Sequence, residues 1–105
     1  MAENLDDKSE WTSVTVRIPP ELAGYEADFK RFWDGQVFKM RRNSHKGKWE
    51  DVPLDRALTG LDGEVAELKD AVINGNVMEI MCESHDVANM ALIVAAIGLE
   101  KAGAR

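Results

Sequence analysis

Asn74-Gly75-Asn76 is the strongest turn signal in this chain, and acidic residues are placed symmetrically about it. Glu64 and Glu67 stand three apart before the turn, and Glu83 and Asp86 stand three apart after it. Three apart on a helix means the same face, one turn along. If the turn joins two antiparallel helices, Glu67 and Glu83 each lie eight residues from Gly75, and Glu64 and Asp86 each lie eleven. At ~1.5 Å per residue the inner pair sits roughly 12 Å from the turn and the outer pair a turn further on. All four carboxylates then meet at matching heights on one helical hairpin.

Four negative charges that close repel unless cations neutralise them or protons bind. Hard oxygen ligands at this density suit Mg²⁺ or Mn²⁺. The plain alternative is two solvated acidic faces, and position on the helix argues against it. Before the turn, a core stripe runs Leu54, Leu58, Leu61, Val65, Leu68, Val72, spaced by fours and threes. Beside it runs a line of small residues, Ala57, Gly60 and Ala71, and Glu64 lies within that line. Small neighbours let a second helix or a ligand approach the carboxylate.

The same residues carry a family resemblance. Gly63-Glu64-Val65-Ala66-Glu67-Leu68, followed by Glu83-Ser84-His85-Asp86-Val87-Ala88-Asn89, resembles the ExxE…ExxD signature of the MazG-like all-α nucleotide pyrophosphohydrolases, a superfamily that includes the dimeric dUTPases. Lys46-Gly47-Lys48-Trp49 is similar to what often precedes the first acidic pair in small members, and the likeness covers about residues 25–100. Many members begin the first motif with two adjacent acids; here Gly63 holds the earlier place, as it does in other members. The resemblance implies Mg²⁺ held by Glu64, Glu67, Glu83 and Asp86, with cleavage of nucleoside triphosphates between the α and β phosphates. Glu67 or Glu64 would then activate the attacking water. The products would be a monophosphate and pyrophosphate, in a role of clearing unwanted nucleotides. It also implies a homodimer or homotetramer.

The sequence predicts an all-α fold: an antiparallel helical hairpin plus one N-terminal helix, completed into a bundle by oligomerisation. Residues 1–20 read as a flexible tail and extended arm, and residues 21–105 as a single MazG-like helical domain. The first helix should run from about Glu21 to Arg42, with a core stripe of Leu22, Tyr25, Phe29, Phe32, Trp33, Val37 and Met40. The second begins near Val52-Pro53-Leu54 with Asp51 as cap and Pro53 in the first turn. Asn76 caps the third, and Glu79 completes a capping box. From Val87 to Leu99 Asn89 is the only polar side chain, so that segment needs burial on several faces, more than three helices supply. Asn89, one turn past Asp86, is a candidate ligand contact or a satisfied core amide.

Five of the thirteen Lys and Arg fall between residues 39 and 48, namely Lys39, Arg41, Arg42, Lys46 and Lys48. A basic loop beside a carboxylate cluster suggests a phosphate, with metal on one side and Lys or Arg on the other. Lys46 and Lys48 are the better candidates because Gly47 lets the backbone approach closely. Trp49 is a candidate base-stacking residue and Asn43 a candidate sugar or base contact.

A net charge of −6 argues against general affinity for nucleic acid or anionic membrane. No apolar run reaches the roughly 20 residues of a membrane span. The acidic amino terminus does not read as a signal peptide, and a single cysteine, Cys82, reads as a packed thiol in a reducing cytoplasm. One rival comes from Val14-Thr15-Val16-Arg17-Ile18-Pro19, which resembles the opening strand of a ribbon-helix-helix DNA-binding regulator over about ten residues. That likeness leaves the acidic pairs unexplained. A second rival is a non-catalytic helical interaction module.

Overall fold

The structure, a computed structural model, describes residues 9–43 and 49–103. It is all-α: α1 spans Glu26–Arg42, α2 Leu54–Asn74 and α3 Val77–Lys101. Short 3-10 helices at Pro20–Tyr25 and Trp49–Asp51 lead into α1 and α2. Among the described residues there is no strand, and residues 11–19 carry no regular structure. The arm's start is held back on the helices by Trp11, whose ring lies 5.4 Å from the Arg41 guanidinium.

The hairpin forms as the turn chemistry dictates. Gly75 takes φ 69°, ψ 21°, a left-handed conformation that costs a glycine little. Its N–H reaches the carbonyls of Ala71 at 3.0 Å and Val72 at 3.1 Å. Asn76 then caps α3, its side-chain oxygen accepting from the Glu79 N–H at 3.1 Å. The other cap differs from expectation: Pro53 occupies the N-cap of α2 with no side-chain bond. Asp51 is instead spent in the preceding 3-10 helix, and Pro53, with ψ 143°, is still extended.

The register is the one counted from Gly75. A Cβ at Gly60 would come within 2.9 Å of the Met90 methyl. Gly60 lies fifteen residues before Gly75 and Met90 fifteen after it. Positions 64 and 86, and 67 and 83, fall on the same ladder.

Packing within the chain centres beside the large-residue stripes, whose Leu54, Leu61, Val65, Leu68, Val37 and Met40 are half-buried. The buried hydrophobics are Ala57, Ala71 and Ile97, while Leu58 and Val72 are exposed. Thus α2 presses its small-residue line, the line holding Glu64, onto α3. The expected aromatic core of α1 is likewise uncovered: Leu22, Tyr25, Phe29, Phe32 and Trp33 are all exposed, and the buried residue of α1 is Gln36. The α1 helix packs on α3 and makes no backbone-level contact with α2. The physical reason is the small number of helices: α3 is the centre, and two neighbours cannot also cover each other's outer faces. The chain keeps 8533 Å² accessible, against about 5,900 Å² for a compact monomer of this mass. Its radius of gyration is 15.8 Å, against about 13 Å for a compact domain of this length.

By length and mean hydropathy (1.4 over its best window) α3 is long and apolar enough to cross a membrane, although no unbroken apolar run within it reaches that length. Core helices of soluble proteins meet the same criterion. Glu79, Glu83 and Asp86 all fall in its first half.

Candidate metal centre and its polar support

The hairpin register brings the carboxylates together. One oxygen from each of Glu64 on α2 and Glu83 and Asp86 on α3 lies within 4.8 Å of the others. Glu67 is exposed at the rim of this group, close enough for its charge to act on both Glu64 and Glu83. The Oε2 atoms of Glu64 and Glu83 are buried and have no hydrogen-bond partner. A buried carboxylate oxygen without a partner is costly, so these two atoms call for a proton or a cation.

The electrostatics say the same. Burial, then the charges of Glu67 and Asp86, a hydrogen bond shared with Glu67 and the charge of Glu83 push the Glu64 carboxyl up to about 7. Glu83 is raised by burial, then by its hydrogen bond to Glu67 and the charges of Glu67 and Asp86, and is partly relieved by Lys39. Lys39 is held beside the group by an ion pair: its Nζ lies 3.1 Å from Asp86 Oδ1, with both side chains mostly covered.

A second polar group supports the first from the α1 side. His85, buried between Glu83 and Asp86 in sequence, faces α1, its ring 4.5 Å from that of Phe32. Gln36 holds it twice. Gln36 Nε2 donates to the His85 carbonyl at 3.4 Å and to Asn89 Oδ1. Gln36 Oε1 is therefore left as an acceptor, so His85 Nδ1, 3.2 Å away, carries the proton. Burial, then the Lys39 charge, lowers the His85 pKa against an opposing pull from Asp86, which favours the neutral ring. The Gln36 amide is thus satisfied in the core, and it fixes where α1, and with it Lys39, crosses α3.

The other sequence candidates are placed differently. Asn89 is engaged by Gln36, the core-amide alternative. Asn43 is exposed at the C-cap of α1. Trp49 is half-buried in the 3-10 helix that packs on α3. Asp51 of that helix lines a cleft with Ile97, Glu100 and Lys101, so it meets α3 roughly 16 Å or more along the axis from Asp86. Within this chain, the short helix that carries Trp49 therefore sits away from the carboxylates. Lys46 and Lys48 lie outside the described residues. Cys82 is exposed rather than packed, because it faces neither α1 nor α2.

Sequence reasoning missed Gln36 and His85, and it counted Lys39 only as one charge in a basic run. Gln36 carried a signal: it is the polar member of an apolar stripe, between Phe32 and Met40 at fours. His85 and Asn89 are likewise four apart and share the face that meets it. Comparison with protein-family models, curated proteins and solved structures finds no match to this chain.

Proposed function

We propose that this chain is a Mg²⁺-dependent nucleoside triphosphate pyrophosphohydrolase of MazG-like type, cleaving between the α and β phosphates. The observation that carries the reading is the trio of Glu64, Glu83 and Asp86 oxygens within 4.8 Å, two of the residues bearing buried, unpartnered Oε2 atoms. The donor set fits the ion. Opposite ligands of an octahedral Mg²⁺ lie about 4.2 Å apart, so small side-chain movements suffice, and hard anionic oxygens are what the ion prefers. Bound there, Mg²⁺ would supply charge that offsets the phosphates and a water of lowered pKa.

The chain's own residues do the rest. Glu64, Glu83 and Asp86 hold the ion between α2 and α3. Glu67, exposed beside them, orients the water for in-line attack and takes its proton. Lys46 and Lys48, next to Trp49, complete the phosphate contacts from a second copy of the chain in this proposal. The exposed Tyr25, Phe29, Phe32 and Trp33 and an open apolar groove of about 590 Å³ along Tyr25, Phe29, Phe32 and Met81 support assembly into a homodimer or homotetramer.

The test is a panel of ribo- and deoxyribonucleoside triphosphates with Mg²⁺, read by pyrophosphate release. Release from at least one of them, lost in EDTA, is expected. Silence across the whole panel in Mg²⁺ and Mn²⁺ overturns the activity.

A further inference from the structure

The Lys39–Asp86 pair poses a question the metal reading leaves open. Asp86 is asked to serve two cations, the ammonium 3.1 Å away and a divalent ion shared with Glu64 and Glu83. Both cannot have the same oxygen at full strength. Lys39 is paired with this cluster through Asp86, and it also faces Glu83 closely enough to moderate its charge. Its side chain is 19% exposed, so it is not a swinging surface lysine. Its backbone is anchored three residues from Gln36, which is bonded to His85 and Asn89 on either side of Asp86.

We propose that the Lys39 ammonium is the built-in counter-ion of the carboxylate cluster, and that it passes from Asp86 to a substrate phosphate oxygen when the site is loaded. The inference rests on the metal-site reading above and adds the group that senses loading. With the site empty, one ammonium partly neutralises the four acids and holds Asp86 in place. When a divalent ion takes the Asp86 oxygen, the ammonium loses its partner. A strongly hydrated point charge tethered at that spot binds best to the next anionic oxygen in reach, which is the phosphate chain held by the same ion. Lys39 thereby weakens binding of the metal alone and strengthens binding of metal with polyphosphate. Occupancy by free divalent ion is thus penalised, and occupancy by the metal–phosphate complex is favoured.

The two effects have opposite signs, which a merely structural ion pair does not produce. Calorimetric titrations of wild type, Lys39→Met and Lys39→Arg would use Mn²⁺ alone and then tripolyphosphate at saturating Mn²⁺. Thermal melts of each protein serve as a folding control. For Lys39→Met we expect Mn²⁺ affinity to rise several-fold and tripolyphosphate affinity to fall by about tenfold or more, since a charge-assisted contact is lost. Lys39→Arg should restore both in large part. Lys39→Met that weakens both ligands, or that leaves tripolyphosphate affinity unaltered, overturns the exchange while leaving the metal site intact. Should Lys39→Met prove poorly folded, Lys39→Arg decides alone: a longer, forked cation must keep tripolyphosphate binding, and its loss counts against the exchange. Wild type that binds no Mn²⁺ overturns the exchange and the metal site together.

Discussion

Gly35 of α1 lies directly against the imidazole of His85 on α3, so close that a Cβ built at Gly35 would overlap the ring, 2.8 Å from Cε1 and nearer still to Nε2. The absent side chain is what lets α1 approach far enough for Gln36 to bond His85 and for Lys39 to reach Asp86. A glycine that costs a helix interior roughly 1 kcal/mol is therefore paired with a histidine that needs its space.

Gly35→Ala should destabilise the protein, since overpacking costs about 1–3 kcal/mol and outweighs the gain in helix propensity. In a His85→Ala background the same change should become neutral or stabilising. Denaturant melts of the four proteins in this double-mutant cycle test it; equal effects of Gly35→Ala in both backgrounds would show that the two residues do not touch.

Metal-free stability should fall as pH rises through the window from 4.5 to about 7 that Glu64 spans. The sign follows from linkage: the folded state binds the Glu64 proton more tightly than the unfolded state, so its advantage is complete below 4.5 and lost above about 7. His85 works the other way, because its lowered pKa makes the folded state lose stability as pH falls below 6.5. Comparing melts of wild type and Glu64→Gln cancels the histidine. The variant should gain on wild type steadily between pH 4.5 and 7; a constant difference would mean that Glu64 titrates normally.

Neutralising a repelling carboxylate should stabilise the empty protein and weaken its response to metal. Glu64→Gln and Glu83→Gln are expected to melt at or above wild type in EDTA. Asp86→Asn should gain less, because it also removes the partner of Lys39. Wild type at 100-fold excess of Mg²⁺ over Kd should be stabilised by about 2.7 kcal/mol, and each variant by less. Equal stabilisation of all four proteins by Mg²⁺ would remove the metal site.

The exposed aromatic face of α1 should be an assembly surface. Phe29 is 48% exposed in the single chain, so Phe29→Asp should leave helicity intact while costing assembly, since covering such a side chain contributes about 1.5–3 kcal/mol. Light scattering should give at least a dimer for wild type and a smaller species for the variant. A well-folded, fully active wild-type monomer would contradict this.

Much of the fold was legible because it rests on local rules. Asn74-Gly75-Asn76 gave the turn, and counting outward from Gly75 gave a register that the Gly60–Met90 approach and the carboxylate group both bear out. The error in burial has one cause. Periodicity marks which residues are apolar but not which partner covers them, so Leu58, Val72, Phe29, Phe32 and Trp33 were assigned to a core that a single chain does not contain. The support of the site was illegible for a related reason. Gln36, Lys39 and His85 gain their meaning from contacts about 50 residues apart in sequence, such as the Gln36–His85 separation of 49, which no local spacing encodes. The cap at Asp51 failed more narrowly, because the 3-10 helix at Trp49–Asp51 competes for it.

Product analysis by phosphorus NMR tests the central claim most directly. Any triphosphate turned over with Mg²⁺ should give a nucleoside monophosphate and pyrophosphate, with no diphosphate or free phosphate, and Glu67→Gln should abolish the conversion while keeping its fold. Formation of a diphosphate and phosphate, or undiminished turnover by Glu67→Gln, would contradict the account.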